Sequence, residues 1–280
     1  MIKITHEFNI KKKSQIFSLY GVSDLHIGSI AFTDEPLKRL EASINDDISK
    51  NIIPLIVLNG DIIDDDRPST RMKRKEIFLD RREAYIAEDL EKMKLIEEEV
   101  LHKIQFLKKA KGLGILDGDH YREFSTGKTS TEILSNFLNI PYLSTGQALI
   151  FLKFKNLKKE NYLVIHTHHG RGGAVKGGSD VNRFIDFTDI WENIDIFVRG
   201  HSHQPLCKPI GKYIACPQAQ TFKEKEVWLM NSGSSRKGML EGFTDYAEKA
   251  LYRFQPLRFP KLLFNVNNDL YIKILEGSII

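Results

Sequence analysis

Five short segments of this 280-residue chain place aspartate and histidine at spacings that can hold a metal ion. They are Asp24-Leu25-His26, Gly60-Asp61-Ile62-Ile63-Asp64, Asp117-Gly118-Asp119-His120, His166-Thr167-His168-His169-Gly170 and Gly200-His201-Ser202-His203. Carboxylate and imidazole together suit Mn, Fe, Zn or Co better than Ca or Mg alone. Taken singly, most of these segments have ordinary explanations. A Gly-Asp pair is usually a turn, and Gly-Asp-His is a turn with a surface histidine. His166, His168 and His169 cannot all be ligands. Gly200-His201-Ser202-His203 is the most specific single piece. An Asp-x-His or His-x-His pair on an extended segment points both side chains the same way. Asp24 with His26, and His201 with His203, are therefore expected to bite common centres as extended pairs.

The order of the segments says more than any one of them. Each follows an apolar run that reads as a buried strand: Ile16 to Tyr20, Ile53 to Leu58, Gly114 to Leu116, Tyr162 to Ile165, and Ile194 to Val198. Loops at strand ends are where open α/β sheets converge on a ligand. Between the runs lie helical patterns. Leu37, Leu40, Ile44 and Ile48 share one helix face. Ile86, Leu90, Met93, Ile96, Val100, Ile104 and Leu107 predict one long amphipathic helix. Val181, Phe184, Ile185 and Thr188 predict another. Strands at Val227 to Met230, Leu262 to Val266 and Leu270 to Ile274 follow, the last two joined by a turn at Asn267-Asn268-Asp269. The fold class is α/β, with residues 1–280 forming one domain and the apolar stretch from Phe254 to Phe264 packed against it.

Composition narrows the classes. The chain is 41% hydrophobic and 28% charged, ordinary for a globular protein, and its net charge of +4 permits nucleic-acid binding without arguing for it. The first residues lack a signal-peptide core, and no segment approaches the roughly 20 apolar residues of a membrane span. A cytoplasmic, membrane-free protein is expected, with Cys207 and Cys216 as two buried thiols.

The ordered set resembles the calcineurin-like metallophosphoesterase family. The resemblance covers about residues 15 to 235. Family motifs are matched by Asp24/His26, Gly60-Asp61 with Asp64, Gly118-Asp119-His120, His169-Gly170 and Gly200-His201-Ser202-His203. Asn231-Ser232-Gly233-Ser234 is similar to the turn that follows the last motif. The resemblance implies a four-layer αββα sandwich, two mixed sheets flanked by helices. It implies two divalent metal ions, Mn foremost, with Fe, Zn, Co or Ni as alternatives. Asp24, His26, Asp61 and His203 would hold the first. Asp61 would bridge to the second, joined by Asp119, His169 and His201, with His168 as the alternative to His169. His120 would be the general acid, oriented by Asp64. The implied activity is hydrolysis of phosphate esters by a metal-bound hydroxide.

The family has Asn where this chain has Asp119. An ionised Asp119 removes one positive charge from the centre and should weaken its Lewis acidity. The departure also motivates a reading from another class, a metal-holding scaffold without turnover. Retention of His120 and Asp64 speaks against it. Arg122 and Arg171 lie close to motif residues and are candidates for phosphate contact, with surface salt bridges as the plainer reading. The stretch Arg67, Arg71, Lys73, Arg74, Lys75, Arg81 and Arg82, with Phe78 and Tyr85, would steer DNA or RNA if it rims the site. A phosphodiesterase or nuclease is therefore expected, with a phosphomonoesterase as the alternative.

Overall fold

The computed structural model describes residues 1–65, 73, 82–144, 146–170, 177–238 and 256–280. Eleven strands are present among them: β1 (Ile2–Asn9), β2 (Ser14–Val22), β3 (Ile53–Asn59), β4 (Lys111–Leu116), β5 (Gln147–Lys155), β6 (Glu160–His168), β7 (Ile196–Arg199), β8 (Leu206–Cys216), β9 (Thr221–Asn231), β10 (Pro260–Asn267) and β11 (Ile272–Ile279). Four main helices accompany them: α1 (Glu35–Ser49), α2 (Arg82–Leu95), α3 (Ser130–Leu138) and α4 (Gly177–Ile190).

The strands form two mixed sheets. One runs β1-β5-β6-β7-β9-β8 and the other β11-β10-β2-β3-β4. β2, β3 and β4 are mutually parallel, as are β6, β7 and β9. Parallel strands need crossovers and are covered on both faces, so they read as continuous apolar runs. That is why β2 and β3 are buried almost throughout.

Three apolar clusters stack the layers. Phe17, Leu19, Leu55 and Val57 meet Ile150, Leu152, Ile165, Val198 and Met230 between the sheets. On the outer face of the five-stranded sheet, Tyr20, Val22, Ile56 and Leu58 pack on Leu37, Leu40 and Ile44 of α1 and Leu134 of α3. On the outer face of the six-stranded sheet, Leu149, Phe197 and Leu229 pack on Phe184 of α4. The architecture is the αββα sandwich.

Several elements differ from expectation. The run from Ile86 to Leu107 is helical, but not as one α-helix. α2 gives way to a π turn at Ile96–Val100, one α-helical turn at Leu101–Ile104 and a 3-10 segment at Gln105–Lys109. A π turn shifts the stripe of side chains around the axis. Ile96, Val100, Ile104 and Leu107 are buried, while Ile86, Leu90 and Leu95 are 37%, 58% and 38% exposed. The thiols of Cys207 and Cys216 are free and half-buried, at opposite ends of β8. The strands β1, β5 and β8 were not among those expected, although Ala148 to Leu152 in β5 is a continuous apolar run. β10 and β11 pair around the turn at Asn267, whose N–H donates to the Tyr271 carbonyl at 3.2 Å. Among the described residues no helix is long and apolar enough to cross a membrane.

Candidate metal centre

The C-terminal ends of β2, β3, β4, β6 and β7 lie side by side, and the loops that leave them carry the five motifs. Neighbouring loops are tied together. Asp24 N–H donates to the Gly60 carbonyl and His26 N–H to the Asp61 carbonyl, both at 3.0 Å, and Gly200 N–H donates to the His169 carbonyl at 2.8 Å. The Asp24 and His26 pair is not extended, nor is the His201 and His203 pair. Their φ angles are +55°, +50°, +69° and +58°, and that of Asp61 is +51°. Strand alternation therefore does not bring these side chains together; left-handed turns do. Aspartate and histidine tolerate this region better than most residues, yet each such position still costs about 1 kcal/mol or more. Five in one crevice are held by the surrounding hydrogen bonds.

Two glycines are required by close approach. Gly60 has φ +94°, and a Cβ there would lie 2.5 Å from His169 Nδ1. A Cβ on Gly118 would lie 1.9 Å from Asp61 Oδ1. Gly118→Ala must therefore displace the Asp61 carboxylate. It is expected to lower metal affinity by about 10–100-fold, the range of a disturbed supporting contact. Isothermal titration with Mn²⁺ checks this; unchanged affinity would show that Asp61 does not bind the ion.

The side chains form three overlapping groups whose candidate ligand atoms lie within 4.8 Å of one another: Asp24 with His26 and His203, His26 with Asp61 and His120, and Asp61 with His169 and His201. Asp61 joins two of them. Its Oδ1 accepts from the N–H groups of Asp119 (2.6 Å) and His120 (2.8 Å), and its Oδ2 lies 3.1 Å from His169 Nε2. Asp24 Oδ1 lies 3.3 Å from His203 Nε2, which is itself 3.2 Å from His26 Nε2. Asp119 Oδ2 is 3.2 Å from His201 Nδ1. His120 Nδ1 is 2.7 Å from Asp64 Oδ1, and His26 Nδ1 is 3.7 Å from the same oxygen.

The donor set fits a pair of cations. Asp24 Oδ1 and His169 Nε2 are buried with no hydrogen-bond partner among the described residues. His169 Nδ1 donates to the Asn59 carbonyl at 2.7 Å, which leaves Nε2 directed at the centre. Burial disfavours a charge on His169, but the carboxylates of Asp61 and Asp24 outweigh it and raise its pKa to about 10. Burial likewise pushes Asp24 upward, and the contact with His203 overcomes this and holds it at about 2. Asp61 and Asp64 lie far below the usual carboxylate range, since neighbouring histidines outweigh their burial. The hydrogen bond from His201 lowers Asp119. Carboxylates grouped this closely around buried imidazoles favour positive charge at the centre, and so a cation.

The other motif histidines point elsewhere. His166 Nε2 pairs with Gln147 Oε1 at 2.9 Å, with its ring beside Trp191 and Phe197. Burial lowers its pKa to about 4, so it is a neutral packing group. His168 Nδ1 accepts from Gly170 N–H at 2.9 Å and its ring faces Phe187. Of the three, only His169 joins the cluster. Asp117 turns away, accepting from Thr129 Oγ1 at 3.2 Å and from the Tyr142 hydroxyl.

Arg122 requires correction as a phosphate contact. Its side chain is 0% exposed, and its guanidinium pairs with Asp89 of α2 at 2.8 Å. Asp89 also accepts from Ser125 N–H at 2.6 Å, so the pair anchors the loop after His120 to α2. Breaking a buried pair by removing one partner costs about 3–5 kcal/mol. Arg122→Leu is expected to lose stability of that order in a denaturant titration, with bound metal unchanged in the folded fraction. A drop below about 1 kcal/mol would show that the pair contributes little. Arg171 and most of the basic stretch, including Arg67, Arg71, Arg74, Lys75, Phe78 and Arg81, lie outside the described residues.

Supporting contacts come from Asn59, whose role went unread in the sequence, and from Ser234 in the turn after the last motif. Asn59 accepts from Thr167 Oγ1 (2.7 Å) and donates to the His168 carbonyl (2.9 Å), fixing the end of β6 beside β3. Ser234 Oγ donates to the Asp24 carbonyl at 2.8 Å, and His201 N–H donates to Asp24 Oδ2 at 2.9 Å. A single asparagine at a strand end carries no spacing signal.

No family model and no curated protein sequence matches this chain. Among solved structures, it is similar to Haemophilus influenzae NAD nucleotidase (NadN), with a TM-score of 0.43 and 12% identity. The match covers 95% of this chain and spans only 50% of that protein.

Proposed function

We propose that this chain is a metal-dependent phosphoesterase of the calcineurin-like type, acting on phosphodiesters. The observation that carries this reading is that Asp61 belongs to the triad with His169 and His201 and, through His26, adjoins the triad of Asp24, His26 and His203. Asp24, His26, His203 and Asp61 would hold one divalent ion, and Asp61, Asp119, His169 and His201 a second, with Mn²⁺ the first choice. Two such ions, when bound, would lower the pKa of an attacking water and neutralise charge on the phosphoryl group.

The chain's own groups supply the rest. His120 Nδ1 faces Asp64 Oδ1 at 2.7 Å, so Nε2 is the nitrogen left toward a substrate. From there His120 can hold a proton for the leaving oxygen. Asn59 fixes the His169 tautomer, and the left-handed turns keep the ligands aimed before anything binds. Pre-aimed ligands avoid reorganisation during the reaction. The basic residues between Arg67 and Arg82 supply the motive for a DNA or RNA substrate.

The test compares bis-p-nitrophenyl phosphate with p-nitrophenyl phosphate, using protein stripped of metal and reloaded with Mn²⁺. Faster release from the diester, abolished by stripping, is the expected result. Faster release from the monoester would make it a phosphatase. No release from either, with ions bound, would favour a scaffold.

A further inference from the structure

We propose that Asp119 makes this site selective for monoanionic phosphodiesters over dianionic phosphomonoesters, by placing a third carboxylate where two would suffice to hold the ions. The inference rests on the metal reading above.

Three features of Asp119 lead to it. Its Oδ2 lies 3.2 Å from His201 Nδ1, so the carboxylate faces the second triad. Its backbone N–H donates to Asp61 Oδ1 at 2.6 Å, which fixes the residue beside the shared ligand. Its side chain is 46% exposed, whereas the Asp24 and Asp61 side chains are 0% and 2% exposed. Of the three carboxylates, Asp119 is the one open to solvent and so to an incoming phosphate.

An amide at position 119 would offer a similar oxygen without the charge. Two divalent ions facing three carboxylates keep one net positive charge; facing two, they would keep two. The Coulomb attraction for a ligand scales with the product of the charges. The positive charge that Asp119 cancels is therefore worth twice as much to a dianion as to a monoanion. Arg122, two residues after His120, is buried against Asp89 and does not restore it. The third carboxylate thus penalises a monoester more than a diester, at the binding step.

The experiment measures binding, without turnover. The full chain, saturated with Mn²⁺, is titrated calorimetrically at about pH 8, where a phosphate monoester is a dianion. Inorganic phosphate and dimethyl phosphate are the probes, and ion stoichiometry is measured alongside. Asp119→Asn is expected to tighten inorganic phosphate by about tenfold or more and dimethyl phosphate by only about threefold. Asp119→Glu, which keeps the charge, should retain the wild-type ratio. Equal shifts for both probes, or none, with both ions held, would overturn this inference and leave the metal reading intact. So would an Asp119→Asn protein that holds fewer ions at saturation, since Asp119 would then serve to retain metal. A wild-type chain that binds no Mn²⁺ would remove both readings.

Discussion

Asp61→Asn is expected to abolish metal binding at both positions while leaving the fold intact. The reason lies in the two ends of the carboxylate. Oδ1 accepts from the Asp119 and His120 backbone N–H groups, and an asparagine oxygen can do the same. Oδ2 faces His169 Nε2 across the centre, and there asparagine presents an NH₂ group, which cannot donate a lone pair to a cation. The substitution thus preserves the loop and removes the shared ligand. Turnover of the diester should fall by more than about 10⁴-fold, beyond what loss of a proton donor alone explains. Added Mn²⁺ should raise the melting temperature of the wild type, because a ligand that binds only the folded state stabilises it, and should leave the variant unmoved. A variant that still holds two ions would show that Asp61 is not the bridge.

His120→Ala should separate chemistry from metal binding. His120 is positioned by Asp64, and its backbone N–H is already committed to Asp61. Removing the imidazole leaves the Asp61 contact in place. Turnover should drop about 10²–10⁴-fold on a substrate with an alcohol leaving group, with both ions retained. The loss should be much smaller with a p-nitrophenyl ester, whose leaving oxygen departs as a stable anion and needs little protonation. The comparison matters because His120 also forms a triad with His26 and Asp61. Loss of an ion in step with activity would make it a ligand instead. A loss that ignores the leaving group would place its role in binding.

Much of this arrangement is written in the local sequence. Apolar runs ending in Asp or His mark β2, β3, β4, β6 and β7, because strands buried on both faces must be apolar throughout and their loops must be polar. The patterns of α1, α2 and α4 are legible for a related reason, since a stripe against a sheet recurs every three or four residues, while the nine-residue α3 was not among the expected helices. The order of the motifs after successive apolar runs, with the family resemblance, placed Asp24, His26, Asp61, Asp64, Asp119, His120, His201 and His203 among the candidates, and the fold brings all of them to one crevice.

Other features depended on partners far away in the chain. The edge strand β1 pairs with β5 across more than a hundred residues, and its side chains are mostly exposed, so no buried apolar run announces it. The choice of His169 over His168 and His166 turns on where β6 ends, and that is decided by Asn59 in β3. Arg122 reads as a surface cation until α2 supplies Asp89 to bury it. The left-handed turns at five ligand positions are likewise invisible locally, because aspartate and histidine prefer other conformations in isolation. Sequence by itself determined which residue types end each strand, a matter of local polarity. Tertiary structure decided which of their lone pairs point inward, because that depends on hydrogen bonds between strands that meet only in the folded sheet.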